Sequence, residues 1–301
     1  MSRTLLRAVS TFGVIRVAAF RGSSVLQQRC YTPGSALNVT VEHLQDEHTG
    51  VSVIAFNRPE ALNAMSRKFV SEFDDALGSL RFNRNVRVII LRSVVPGIFC
   101  AGADLKERKT IPPEDVGPLV AKGRRIIGDL SSMPMPVITA LDGGAYGGGL
   151  EMALATDIRI AADSAKMGLT ETRLAIIPGG GGTQRLPRLV GIGKAKELIY
   201  SAKVVSGTEA ADIGLAEHVV PQNENSDAAY QRALQLATEI ATKGPIAISM
   251  AKLAIDNGMQ TDISTALKVE ESCYAQVIPT KDRLEALKAF MEKRTPLFQG
   301  K

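Results

Sequence analysis

The apolar residues near position 50 follow the period of β-strands. Between residues 37 and 56 they form two runs on either side of His48-Thr49-Gly50, and in the second run Val51, Val53 and Ala55 occupy every other position. Such alternation around a turn that contains glycine predicts two consecutive strands.

A helical period begins after residue 60 and alternates with buried strands up to residue 220. Residues 61–80 carry apolar side chains three and four positions apart, which predicts an amphipathic helix. The other predicted helices of this part are residues 114–130, 194–201 and 207–213, and the predicted strands are 86–91, 137–141 and 217–220. Strands that alternate with helices favour an α/β core with parallel pairing.

From residue 226 onward the pattern is helical alone. Four successive helices are predicted over residues 228–242, 245–257, 262–277 and 281–293, separated by glycine or proline. This shift predicts a boundary after residue 225, with a helical region over residues 226–301.

The first 41 residues differ in composition from the rest of the chain. They hold five arginines, no lysine and no carboxylate, and Leu5, Leu6, Val9 and Phe12 recur at helical spacing. This composition predicts a mitochondrial presequence over residues 1–31 and delivery to the mitochondrial matrix, with a disordered basic arm as the alternative. The five arginines equal the formal net charge of +5, so the basic balance does not by itself indicate a nucleic-acid partner.

The cysteines and histidines form no recognisable site. Cys30 lies within the predicted presequence, and Cys100 and Cys273 show no CxxC spacing, so reduced thiols are expected. The three histidines lack the spacing of metal ligands, and we predict no metal site. No run of about 18 apolar residues occurs, so we expect no membrane span.

Glycine is concentrated between residues 142 and 182. Five glycines lie between Gly143 and Gly149, and the apolar run that follows predicts a helix that begins at the glycines. The start of a helix directs unpaired N–H groups at an anion or a developing oxyanion. Because Glu151 and Glu171 are near in sequence, the stretch predicts chemistry that builds negative charge on a carbonyl oxygen while protons move.

Plainer interpretations of this stretch remain open. Glycine clusters are common in turns, and a glutamate in the first turn of a helix is commonly a solvated partner of the helix dipole. Phosphate binding is another option, but the chain has neither a GxxxxGK[ST] motif nor a strand–GxGxxG–helix unit followed by a ribose-binding acid.

Five motifs together resemble those of the enoyl-CoA hydratase (crotonase) family, over about residues 38–301. They are Asn57-Arg58-Pro59 with Leu62-Asn63-Ala64, FCAGAD at residues 99–104, GGGLE at 147–151, GLTE at 168–171 and IPGGGGTQRL at 177–186. The resemblance implies an α/β fold with a crotonase-like spiral of ββα repeats over residues 32–225. It also implies that residues 226–301 form a trimerisation region, in a homotrimer or a homohexamer.

The resemblance implies a role for four site residues. Glu151 and Glu171 are expected to be catalytic, one taking a proton from a water and the other delivering a proton to the α carbon. Ala101 and Gly148 are expected to supply the two backbone N–H groups of an oxyanion hole. Two intact acids favour the addition of water over isomerisation.

The resemblance also implies a surface that binds an acyl-CoA substrate. The residues expected to contact it are Arg58, Glu60, Ala61, Ala101, Gly102, Ala103, Asp104, Gly148, Phe290 and Lys293. For Phe290 and Lys293 the alternative is an ordinary amphipathic helix end. CoA is part of the substrate, so no separate cofactor is expected.

The motifs constrain the acyl group of the substrate less than they constrain the reaction. Residues 96–108, 174–178 and 273–285 favour the branch of the family that hydrates methylglutaconyl-CoA in leucine degradation, with a short-chain enoyl-CoA of fatty-acid oxidation as the alternative. Tyr146 stands where the family usually has leucine, and the sequence leaves open what its larger ring does to the acyl pocket.

RNA is the alternative partner. Members of the family can bind AU-rich RNA through a lysine-rich helix, but the corresponding residues 66–84 hold four basic and three acidic side chains. This small excess favours a solvated helix face over an RNA-binding surface.

Overall fold

The computed structural model describes residues 37–301, so the predicted presequence lies outside the described residues. This part of the chain contains ten strands and eleven α-helices. The strands are β1 (Val39–His43), β2 (Val51–Phe56), β3 (Val88–Ser93), β4 (Ile98–Cys100), β5 (Val137–Leu141), β6 (Gly144–Tyr146), β7 (Ile158–Ala162), β8 (Lys166–Gly168), β9 (Val205–Ser206) and β10 (His218–Val220). The helices are α1 (Arg67–Arg81), α2 (Leu105–Arg108), α3 (Pro113–Ser131), α4 (Gly148–Leu154), α5 (Gly182–Val190), α6 (Ile192–Tyr200), α7 (Gly207–Asp212), α8 (Ala228–Ala241), α9 (Pro245–Gly258), α10 (Ile263–Val277) and α11 (Lys281–Met291).

The strands form two sheets that the chain visits in turn. The larger sheet has the order β1-β2-β3-β5-β7-β10, and the smaller one has the order β4-β6-β8-β9. Strands β3, β5 and β7 belong to the larger sheet, and the strand that follows each of them in sequence, β4, β6 or β8, belongs to the smaller sheet. Apart from the antiparallel pairs β1/β2 and β8/β9, the pairing is parallel. The chain therefore advances by repeated ββα units, which is the predicted spiral.

The larger sheet is buried on both faces. Val51 and Val53 of β2 pack in one apolar cluster, whereas Ile54 and Phe56 of the same strand pack in another. The alternation predicted for this strand is therefore an alternation between two cores and not between core and solvent. Parallel strands covered on both sides are expected to be apolar throughout.

Helix α8 covers one face of the larger sheet. Its alanines 229, 233, 237 and 241 are at most 6 % exposed and belong to the same cluster as Val51 and Val53. Alanine at every fourth position lets a helix approach a sheet closely, because these positions share one face. The boundary predicted after residue 225 therefore precedes a helix that is part of the core, and residues 37–301 form one compact unit.

The last three helices keep large apolar side chains in solvent. Ile255, Met259, Ile263 and Phe290 are each more than 60 % exposed. None of the helices in residues 37–301 has both the length and the apolar character needed to cross a membrane.

The helix predicted over residues 61–80 begins later than its pattern indicates. Pro59–Ala61 forms a 3₁₀ turn, and Leu62 and Asn63 have φ angles of 51° and 56°, which an α-helix does not allow. Ser66 then caps α1 by accepting a hydrogen bond from the Phe69 N–H. The six residues before α1 are therefore available to pack beside the strand end at residues 99–104.

Candidate active site

A cleft of about 660 Å³ lies where the smaller sheet meets α3 and α4. Its walls include residues 101–104, Gly147 and Gly148, and both Glu151 and Glu171. The glycine-rich helix start and the two acids that the sequence singled out thus share one cavity. The rest of the lining is mostly apolar, with side chains such as Val120, Ile127 and Leu174.

Glu151 is held at the start of α4 by a second glycine loop. Its Oε1 accepts hydrogen bonds from the N–H groups of Gly180 and Gly182 at 2.7 and 2.8 Å, and the residue is 4 % exposed. Burial raises the pKa of Glu151, while the two backbone donors and the charges of Arg185 and Arg124 act in the opposite direction. The carboxylate is therefore fixed in position, with its anionic form supported by two donors.

Glu171 begins a 3₁₀ turn and is held less firmly. Its Oε2 is buried and has no hydrogen-bond partner within residues 37–301. Burial raises its pKa to about 7, and repulsion by Glu151 adds to the effect. A Cβ at Gly147 would lie 3.1 Å from Glu171 Oε1, so the glycine lets this carboxyl group approach the start of α4.

The oxyanion donors differ in part from the prediction. The Ala101 N–H donates to the Leu62 carbonyl at 3.0 Å, so the prediction that Ala101 supplies a donor is wrong. Gly102 O accepts from Met65 N–H, and Asp104 N–H donates to Met65 O. The intervening Ala103 therefore directs its N–H away from Met65, and this N–H has no acceptor among the described residues.

The other N–H group predicted as an oxyanion donor is that of Gly148, which lines the cleft. It is the first residue of α4, where backbone N–H groups have no partner inside the helix. Gly102, with φ of 90°, brings the two loops together, since a Cβ there would lie 3.4 Å from Gly148 N and 2.8 Å from Tyr146 O. The loops that carry the Ala103 and Gly148 N–H groups are thus adjacent, and neither group has an acceptor among the described residues.

Arg58 and Asp104 support the site from within the protein. Arg58 Nη1 lies 2.8 Å from Asp104 Oδ2 and donates to the Ala64 carbonyl. Asp104 also caps α2 by accepting from two backbone N–H groups. Although burial opposes the effect, the hydrogen bond from Arg58 and these backbone donors lower the pKa of Asp104. Arg58 is not part of the cleft wall, and its contact with the substrate stays a prediction.

The remaining predicted contacts with CoA lie outside the cleft of the single chain. Glu60 is exposed and lies 3.3 Å from Arg58 Nε, and Ala61 is partly exposed. Phe290 is 84 % exposed, and Lys293 is exposed beyond the end of α11. The structure does not bring these four residues to the two glutamates.

Tyr146 does not enter the acyl pocket. A Cβ at Gly144 would lie 2.6 Å from Tyr146 Cε2, so the ring lies over Gly144, and Tyr146 is absent from the residues that line the cleft. The ring is therefore not part of the cleft wall.

Two arginines near Glu151 were not predicted from the sequence to support the site. Arg124 Nε donates to the Gly179 carbonyl at 2.8 Å, and Arg185 Nη1 donates to the Gly180 carbonyl at 3.0 Å. Both arginines thus donate hydrogen bonds to the loop at residues 179–182, which in turn donates to Glu151. The run of four glycines from Gly179 could have indicated them, because glycines have no side chains and their carbonyl groups need donors from other parts of the chain.

The described part of the chain brings together no group of three or more histidine, cysteine or carboxylate side chains that could hold a metal ion.

Comparison with known proteins places this cleft in a family. The family described as Enoyl-CoA hydratase/isomerase matches residues 46–301. The human protein named Methylglutaconyl-CoA hydratase, mitochondrial, is 56 % identical over 260 residues, which are 86 % of this chain and 77 % of the relative. Human Enoyl-CoA hydratase domain-containing protein 2, mitochondrial, is 51 % identical over 274 residues, which are 90 % of this chain and 94 % of the relative.

A crystal structure of an enoyl-CoA hydratase from Bacillus anthracis has the same fold. Its TM-score is 0.83 at 46 % identity, and the match covers 88 % of this chain and all of the other. With its motifs, its spiral of ββα units and its paired acids, the chain belongs to the enoyl-CoA hydratase/isomerase family.

Proposed function

We propose that this protein adds water across the C2=C3 bond of an enoyl-CoA thioester. The observation that carries the proposal is the pair of unlike carboxyl groups, Glu151 and Glu171, in one cleft with the two unpartnered N–H groups of Ala103 and Gly148. Hydration of a conjugated thioester needs a base for water, an acid for the α carbon and donors for the enolate oxygen.

The geometry favours a definite division of roles. Glu151, as the anion, accepts a proton from water while the water oxygen bonds to C3 and the π electrons move towards the thioester. The enolate oxygen accepts hydrogen bonds from Ala103 and Gly148, and each such donor is worth about 3 kcal/mol in comparable sites. Glu171, protonated near neutral pH, gives its proton to C2. The proposed addition is syn, with the water oxygen and the proton added to the same face of the double bond.

We propose methylglutaconyl-CoA as the substrate and 3-hydroxy-3-methylglutaryl-CoA as the product, in leucine degradation. The 56 % identity with a methylglutaconyl-CoA hydratase supports this choice. A general short-chain enoyl-CoA hydratase is the second candidate, because a relative at 51 % identity has a name that specifies no acyl group. CoA enters as part of the substrate, and the proposed chemistry needs no further cofactor.

We further propose that the mature protein acts in the mitochondrial matrix as a homotrimer or homohexamer. The arginine-rich start of the sequence and the mitochondrial names of the relatives support the location. The exposed apolar side chains of α9, α10 and α11 support assembly through the last three helices, since contiguous exposed apolar surface commonly marks an interface.

We do not propose an RNA-binding function. Within α1, Arg67 is paired with Glu107 at 2.9 Å, and Arg81 donates to the Asp129 and Ser132 carbonyls. These cations are already neutralised or engaged, which leaves little charge for phosphate contacts.

The proposal is tested by steady-state hydration of three esters by the chain from residue 32 onward. We expect the highest kcat/KM with methylglutaconyl-CoA, a lower value with crotonyl-CoA and the lowest with long enoyl-CoA esters. Preference for crotonyl-CoA would favour the general hydratase, and absence of hydration of all three esters would refute the proposed reaction.

A further inference from the structure

The cleft contains more positive charge than the proposed chemistry uses. Seven charged side chains line it, namely Arg67, Asp104, Glu107, Arg108, Arg124, Glu151 and Glu171. Arg67 is paired with Glu107, and Asp104 is paired with Arg58 outside the wall. The two glutamates carry the reaction. Arg108 and Arg124 remain, and neither forms an ion pair within 4.0 Å of a carboxylate among the described residues.

Arg124 is the one of these two arginines that is held on the loop that binds Glu151. Its Nε donates to Gly179 O, the residue before the Gly180 that holds Glu151, and its charge acts on Glu151. With Nε so engaged, its two terminal nitrogens have no hydrogen-bond partner within residues 37–301. A guanidinium held in this way presents two parallel N–H groups, the arrangement that binds a carboxylate in bidentate fashion.

The position of Arg124 matches the chemistry of a substrate with a second carboxylate. Water is expected to attack C3 next to Glu151, and in methylglutaconyl-CoA the free carboxylate is separated from C3 by one methylene group. The neighbouring wall is apolar, with Val120 one helical turn before Arg124 and Ile127 close after it. Arg124 is itself exposed at the edge of this wall. A carboxylate placed against the apolar side chains without a cation would lose hydration and gain no partner, so a cation nearby favours its binding.

We propose that Arg124 binds the free carboxylate of the acyl group and so selects a dicarboxylic enoyl-CoA over a neutral one. This inference rests on the proposed hydratase function and goes beyond it by naming the residue that reads the acyl group. Arg185 supplies the matched control, because it also holds the glycine loop and acts on Glu151 but does not line the cleft.

The test compares hydration of methylglutaconyl-CoA with that of its neutral monomethyl ester, each as kcat/KM. In Arg124→Gln, we expect the ratio of the two values to fall by about 10- to 100-fold, the loss expected for one charge-assisted pair. Arg124→Lys keeps the charge and should retain most of the ratio. Arg185→Gln should lower both rates and leave the ratio as in the unmodified protein.

Each other result counts against the inference in a recognisable way. An unchanged ratio in Arg124→Gln would overturn it. An equal loss on both esters would assign Arg124 to the CoA phosphates or to loop support, and loss of the ratio in Arg108→Gln alone would assign the carboxylate to Arg108. If the unmodified protein hydrates crotonyl-CoA but not methylglutaconyl-CoA, both the proposed substrate and this inference are refuted. If it hydrates methylglutaconyl-CoA and Arg124→Gln leaves the ratio unchanged, only this inference is refuted.

Discussion

Glu151 and Glu171 face the same cleft, but the protein holds them in different ways. The region around Glu151 is an α-helix start closed by a second glycine loop, with two N–H donors on one carboxylate oxygen. The region around Glu171 is a 3₁₀ turn, and its buried Oε2 has no partner within residues 37–301. One site is therefore built for an anion and the other for a neutral acid.

This difference explains how two like residues can do unlike work. Two adjacent carboxylates rarely ionise together, because each raises the pKa of the other. Glu151 Oε1 accepts from two N–H groups of a second loop, whereas the Glu171 carboxyl group is supported by its own backbone N–H, and this difference decides which acid gives up its proton first. The assignment of Glu151 as base and Glu171 as acid follows from the positions of the Gly180 and Gly182 N–H groups, which are features of the backbone.

Removal of either acid should give the largest effect. Glu151→Gln and Glu171→Gln should each lower kcat for hydration by about 10³-fold, since each removes one of two coupled proton transfers. The double variant should lose little more than either single one, because the two groups act as a unit. Binding of an acyl-CoA product should persist in all three variants when measured by calorimetry. A double variant with substantial activity would show that these acids do not carry the reaction.

A glycine substitution should separate the oxyanion donors from the acids. In Gly102→Ala, a Cβ 2.8 Å from Tyr146 O would displace the Ala103 N–H, and we expect kcat to fall by about 10²-fold. Gly97→Ala is the matched control, because Gly97 also has a positive φ of 73° but a Cβ there meets nothing within 4 Å. Both variants should lose about 1 kcal/mol of stability through backbone strain. Equal activity in both variants would argue against the oxyanion assignment.

The pH dependence of the rate should report Glu171. Since hydration needs its protonated form, kcat/KM should fall about tenfold per pH unit as the pH rises well above the pKa of about 7. The residual activity of Glu171→Gln should lack this alkaline decline. A profile of the unmodified protein that is flat from pH 6 to 9 would contradict the assignment of Glu171 as the acid.

The parts of this site that follow from local sequence could be predicted, and those that depend on pairing between distant loops could not. The start of α4 at the glycines and the nearness of Glu151 to it follow from helix signals within ten residues. The choice between Ala101 and Ala103 as donor depends instead on Met65, which forms backbone hydrogen bonds with Gly102 and Asp104, 37 and 39 positions later in the sequence. The residues of the FCAGAD motif alone do not indicate how its backbone pairs with Met65.

The fold shows the same division. The strand at residues 137–141 and the four C-terminal helices were predicted within a few residues, because their apolar runs are bounded by glycine or proline. Strand β7 was missed because its last two residues, Ala161 and Ala162, are small and its buried Arg159 interrupts the apolar pattern. That arginine is satisfied by Glu217 and by the carbonyl of Leu215, more than 50 residues away. Tertiary partners of this kind override local patterns.

The smallest expected effect is on stability, and it sharpens the contrast between the two acids most directly. The folded-state pKa of Glu171 is raised to about 7, above the ordinary value of 4.5, so its favourable contribution is fully present below pH 4.5 and is lost as the pH rises through 7. Above pH 7 the folded protein carries a partly buried carboxylate whose Oε2 has no partner within residues 37–301. Glu171→Gln should therefore be more stable than the unmodified protein by about 1 kcal/mol at pH 8, after allowance for solvent screening, and no more stable at pH 4.

Urea unfolding at the two pH values measures this difference, with Glu151→Gln as the matched comparison. Burial raises the pKa of Glu151 too, but the Gly180 and Gly182 donors oppose the effect, so the gain at pH 8 should be smaller than for Glu171→Gln. A larger gain for Glu151→Gln would mean that the two backbone donors do not support the anion. Glu171 would then be assigned as the base and Glu151 as the acid. The reason is that the carboxyl group whose ionisation destabilises the folded protein more is the one that keeps its proton.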